Sequence, residues 1–171
     1  VAQAVDEASN RLGVAYFGSA GNHSDESSEY AAPVFKALVG TSGNADLDFG
    51  ATFKTGGISD TRQHFSIPKL SNLRLIMQWS DPFYTTNGVK TDLDMYLVKT
   101  RANGMALKGD TIAISNDDNL AGQEPQEFID YTNQNDTDTE FDLIISRRSG
   151  TANPARIKYI SYGDLITDVP A

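Results

Sequence analysis

Three stretches of strict alternation set the terms for what this chain can become. Leu73, Leu75, Met77 and Trp79 alternate with mainly polar residues, as do Leu93, Met95 and Leu97, and again Phe141, Leu143 and Ile145. A period of two places every apolar side chain on one face of an extended segment, so each stretch reads as a strand half-buried against a core. Shorter candidate strands lie at 49–53, 64–67, 111–115, 127–131 and 156–162, separated by clusters of Asn, Asp, Gly and Pro that favour turns. Strands in that number, with no helix between them, predict a mainly β fold, an antiparallel sandwich of the jelly-roll kind over residues 48–163. At 171 residues the chain is long enough to bury such a core.

The opening follows a different rule. Val1, Ala4, Val5, Ala8 and Leu12 recur at helical spacing, with Gly13 as a stop. Val14 to Phe17 then form a continuous apolar run closed by Gly18, the pattern of a strand buried on both faces in a parallel sheet. A single helix–strand unit cannot cover such a strand, and the rest of the chain offers no parallel partners, so those partners are expected outside it. The reading therefore has three parts: residues 1–47 as an α/β remnant with a Ser-, Gly- and Asn-rich connector, 48–163 as the sandwich, and 164–171 as a tail returning to the first domain. No basic and apolar targeting segment precedes Val1, and the chain looks cut at both ends.

The run GVAYFGSAGN at 13–22, preceded by the helical AVDEASNRL, resembles the segment of subtilisin-like serine proteases that ends in Ala-Gly-Asn. The resemblance implies that Asn22 donates a hydrogen bond to the oxyanion of the tetrahedral intermediate and that Gly21 lets the backbone approach the substrate. A second, looser resemblance covers most of the remainder. LRLIMQWSDPF at 73–83, KTDLDMYLV at 90–98, SNDDN at 115–119 and QEFIDY at 126–131 are similar to β-sandwich modules attached to or inserted into bacterial members of that family. Sequence order then implies an insertion between the oxyanion asparagine and a catalytic serine beyond Ala171. The protein so implied is a secreted or cell-surface bacterial endopeptidase, whose partners are the rest of the parent protease domain and a protein or peptide substrate.

The departures from that family matter as much. Its triad needs Asp and His motifs before Val1 and a serine after the insertion, so the chain is expected to be inactive alone. Gly40-Thr41-Ser42 looks like the family's nucleophile motif, but Gly43, Asn44 and an acidic stretch follow it where a small-residue helix should stand. It reads as a decoy. The sandwich itself is expected to brace the protease or to shape access to its cleft; the alternative is a carbohydrate- or protein-binding jelly-roll module.

Charge narrows the partners. A formal net charge of -9 repels phosphate backbones and anionic lipid, so neither nucleic acid nor membrane is expected, and the absence of cysteine removes disulfides and thiolate sites. No apolar run approaches the roughly 20 residues that span a bilayer. No cofactor is required for the expected chemistry. Calcium is the one candidate ion, with Asp92, Asp94, Asp117, Asp118 and Glu127 as ligands if Asp92 and Asp94 share a strand face and the loop folds back. The competing reading has these carboxylates bracing loops through backbone amides. His23 reads as solvated and His64 as packed at a strand edge, neither in a zinc spacing. Trp79 with Phe83, Tyr84 and Tyr96 is a possible aromatic platform, although the alternation of Trp79 with Leu73, Leu75 and Met77 places it in the core.

Overall fold

The structure, a computed structural model, describes residues 7–14, 27–37, 44–50, 59–83, 88–100, 110–150, 153–163 and 167–168. Its strands are β1 (Ser27–Ala31), β2 (Phe35–Ala37), β3 (Ala45–Leu47), β4 (Gln63–Ile67), β5 (Asn72–Trp79), β6 (Thr91–Lys99), β7 (Thr111–Ser115), β8 (Gln126–Thr132), β9 (Thr139–Gly150), β10 (Arg156–Gly163) and β11 (Thr167–Asp168). A single helical turn, α1 (Asn119–Gly122), joins β7 to β8. Every strand pairing among them is antiparallel.

One sheet runs β1-β10-β5-β8. The other is built on β9, with β6 and then β7 along one edge, and β4 and β3 sharing the opposite edge end to end. Setting the short strands β2, β3 and β11 aside, the remaining strands fall in chain order as first-eighth-third-sixth in one sheet and second-seventh-fourth-fifth in the other. That interleaving is a jelly roll, as the strand pattern predicts.

The alternation in β5 translates directly into burial, with Leu73, Leu75 and Met77 at 0% exposure and Trp79 at 5%. Trp79 is therefore core, and Tyr96 lies on the opposite face of the other sheet, so these two do not form one platform. Tyr84 lies outside the described residues. β6 and β9 differ from the half-buried strands expected, because both of their faces are covered. Leu93, Met95, Phe141 and Leu143 point into the main core, whereas Val98 and Ile144 form a second cluster with Tyr96 behind them. Centrally placed strands have no solvent edge, and on their outer face Val98 and Ile144 are buried beside the polar Asp94, Asp142 and Ser146.

The segment read as a connector contributes strands to both sheets. β1 pairs with β10 and sends Tyr30 into the core, where its hydroxyl meets that of Tyr159 at 3.2 Å; β3 brings Leu47. Structurally the sandwich thus begins at Ser27, ahead of the expected boundary at 48. Phe49 and Gly50, expected to open a strand, are helical, with the Phe49 N–H bonded to Asp60 O at 2.7 Å. The described part of the opening helix is a π-helical turn, Glu7–Arg11, with no buried residue. Leu12 and Val14, expected on buried surfaces, are 71% and 54% exposed.

Strand direction gives the sandwich two ends. Ser27 lies opposite Ile160, Gly163 opposite Leu73, and Thr132 opposite Asn72, so β1 and β5 begin where β10 and β8 stop. At the far end β5 stops and β8 and β10 begin. There β9 closes on Gly150, whose φ of +123° and 2.4 Å approach of a notional Cβ to Lys90 O admit only glycine. Among the described residues no helix is long and apolar enough to cross a membrane.

Candidate functional site

At the far end, all four landmark stretches meet. The Asp81 carboxylate following Trp79 accepts the N–H groups of Lys90 and Thr91 at 2.8 and 2.9 Å and the Trp79 indole N–H at 3.3 Å, which fixes where β6 starts. Next along, a register shift between Asp92 and Leu93 interrupts the ladder to β9. The pairing skips Arg148, so the extra residue of this bulge lies in β9. Here the Leu93 N–H is taken up by the side chain of Asn119.

Asn119 is 2% exposed and joins the two sheets. Its Oδ1 accepts the Leu93 N–H at 3.1 Å, its Nδ2 donates to Glu127 Oε1 at 2.7 Å and to the carbonyls of Glu124 and Gln126 at 3.2 and 3.3 Å, and its own N–H donates to Asp92 Oδ1 at 3.3 Å. Only a carboxamide offers a donor pair and an acceptor on one short stem, so no carboxylate could serve the same partners. The turn that holds it is set by Asp118, whose side chain caps α1 by accepting the Ala121 N–H at 3.0 Å, and by Gln123, left-handed at φ 57°.

Of the acidic residues singled out in the sequence, Asp92 and Glu127 are brought together on Asn119, and Asp118 caps the same turn. Asp117 and Asp118 themselves are exposed. Asp94 is elsewhere. Asp92 accepts the Asn119 N–H and the Ser149 hydroxyl, while Asp94 meets the Tyr96 hydroxyl at 2.6 Å and Arg148 at 3.7 Å on the outer face. The two carboxylates, two residues apart on β6, thus hold different partners. Burial, reinforced by the hydrogen bond to Asp94, holds the Tyr96 hydroxyl well above the ordinary phenol range. Among the described residues no three His, Asp or Glu side chains are arranged to hold a metal ion. Asn119 and Asp81 were not among the candidates, although both stand in quoted motifs; the signal was an amide amid acids, and an acid after a tryptophan.

Glu127 is the group in this cluster that can respond to pH. Its Oε2 accepts the Ser115 hydroxyl, whose oxygen in turn accepts the Phe128 N–H at 3.0 Å. The neighbours Gln126 and Phe128 line an open concavity of about 300 Å³ with Ile76 on the outer face, whereas the Glu127 side chain is turned inward and buried. Burial pushes the carboxyl up to about 7, against the hydrogen bonds from Ser115 and Asn119, which pull it down. A group whose folded pKa is raised lends stability that is complete below its unfolded value and is lost as pH climbs through the folded one. The stability advantage of wild type over Glu127→Gln should therefore shrink from pH 5 to pH 8, by about 1–2 kcal/mol once solvent screening is allowed for. Urea unfolding at several pH values measures it, and parallel curves for the two proteins would rule the coupling out.

The outer face of the β9 sheet carries a second polar row. His64 lies directly opposite Asp142 in the ladder, with Nδ1 2.5 Å from Asp142 Oδ1 and Nε2 3.1 Å from Glu140 Oε2. A buried carboxylate behind an imidazole is how an acid–base histidine is oriented, yet here the second nitrogen faces another carboxylate. The arrangement makes a brace between β4 and β9. Asp46 in β3 accepts the Ser146 hydroxyl of β9 on the same face. Asn22, Gly21, His23 and Ser42 lie outside the described residues. No protein-family model, no curated protein and no solved structure matches the chain.

Proposed function

We propose that this chain is the non-catalytic part of a secreted subtilisin-like serine endopeptidase, in which the jelly roll is inserted between Asn22 and the nucleophilic serine and braces the protease or shapes access to its cleft. The motif at 13–22 supplies the family reading. The observation that carries the insertion is the pairing of β1 with β10, the first and last long strands of the sandwich. A domain can be spliced into a loop of another without distorting it when its incoming and outgoing strands lie side by side. The 71% exposure of Leu12 and the 54% exposure of Val14 agree with a helix and strand whose covering surfaces belong to the parent. The polar clusters described above are engaged in bracing strands, and the His64 Nε2 faces Glu140 where a triad would have a serine hydroxyl.

In that parent, peptide-bond cleavage would run through an acyl-enzyme, and the part played by this chain would be the Asn22 amide donating to the oxyanion as the tetrahedral intermediate forms. The test is the reading frame that encodes the chain. Asp and His motifs are expected upstream of Val1 and a Gly-Thr-Ser-x-Ala motif downstream of Ala171. A frame lacking them on either side ends the reading.

A further inference from the structure

The four residues Pro68–Ser71 form a turn closed by the Ser71 N–H on Pro68 O at 3.2 Å. Its third residue is Leu70, at φ +57°. Positive φ at that place in a turn is the province of glycine and asparagine, because a Cβ there crowds the following carbonyl. Leu70 is also 67% exposed. A leucine here is thus unfavourable twice over, for its backbone and for its side chain in water.

The turn does not relax around it, because it is held from behind. Asn133, at 0% exposure, donates from Nδ2 to the carbonyls of Ile67, Pro68 and Thr137 at 3.0, 3.2 and 3.2 Å, and its N–H reaches Ser71 O at 2.9 Å. The Lys69 N–H is bonded to Asp138 Oδ1 at 3.0 Å. Strain kept in place by a satisfied, buried scaffold is the pattern of a site that meets something else. The turn sits just beyond the rung where Gly163 faces Leu73, the end at which β1 comes in and β10 goes out.

We propose that Leu70 is the apolar contact through which the jelly roll seats on the parent's catalytic domain, at the end where β1 enters and β10 leaves. The proposal rests on the insertion reading and adds the surface on which the two domains meet. It is tested with Leu70→Gly and Leu70→Asp in the full-length parent and in the 171-residue chain, read by amide hydrogen exchange over 68–71 and 133–138. In the shorter chain Leu70→Gly leaves melting unchanged or raises it, since it relieves the backbone and removes a side chain that is in water. In the parent both variants lower protection of the two turns about tenfold, the loss expected when an apolar contact is removed. Protection in the parent that is equal for wild type and both variants overturns the docking contact and leaves the insertion standing. A reading frame without protease motifs removes the insertion itself, and Leu70's partner with it.

Discussion

Asn119→Ala is expected to lower the thermal midpoint of the jelly roll by roughly 10 °C, the largest effect of any single side chain outside the apolar core. The residue is at the meeting point of a bulge, a one-turn helix and the opposite sheet, and alanine can replace none of its bonds. The buried Leu93 N–H is left without its acceptor, and Glu127 Oε1 loses a donor at 2.7 Å. Each stranded group costs about 1–3 kcal/mol, and the two together about 3–5 kcal/mol. At this chain length 1 kcal/mol moves the midpoint by about 2–4 °C.

The size of the loss also separates two accounts of the acidic cluster. If Asp92 and Glu127 are held in place by Asn119, replacing Asn119 by aspartate should be nearly as damaging as alanine, because a carboxylate accepts from Leu93 but cannot donate to Glu127. It would also set a third carboxyl beside Asp92 and Glu127, so the damage should deepen as Glu127 ionises. Calorimetry on both variants decides the matter. A midpoint within about 2 °C of wild type for Asn119→Ala would mean that the bulge finds its partners elsewhere.

How far the sequence could lead is visible in particular strands. β5 was legible because one of its faces stays outside the core and its polar residues mark that face. β10 followed for the same reason, whereas in β7 it is Ile112 and Ile114 that face outward. β6 and β9 were found as strands but not as doubly covered ones, although Tyr96, Val98 and Ile144 stand at the parity that should have been polar. β1, β2 and β3 escaped notice because an edge strand of three to five residues can dock with a single inward side chain, as β1 does with Tyr30, and the surrounding Ser, Gly and Asn read as loop. The buried Asp46 in β3 is met by the Ser146 hydroxyl across from it, a long-range fact absent from local pattern. In the cluster at the far end, carboxylates drew the eye as metal ligands, whereas the neutral amide between them makes the connections. Asp92 and Asp94 in turn hold different partners, Asn119 and Ser149 for the first and Tyr96 and Arg148 for the second.

If the proposed reading holds, Asn22→Ala in the parent protease should cut kcat by about 10²–10³ and leave KM nearly unchanged. The asymmetry follows from when the bond is made. A planar carbonyl in the bound substrate carries little negative charge, so an amide donor contributes little to binding; the charge arrives with the tetrahedral intermediate, and the donor then acts at full strength. One charge-assisted hydrogen bond in a dry site is about 3–4 kcal/mol at the transition state, which is the predicted loss in rate. The same substitution should leave the melting of the jelly roll untouched, because Asn22 precedes β1 by five residues and belongs to the parent's sheet in this reading. That pairing of outcomes is diagnostic. A residue that merely turned the chain before Ser27 would move stability and leave the rate alone, so steady-state kinetics giving a kcat within a factor of about three of wild type, whatever the effect on stability, would remove Asn22 from the oxyanion hole.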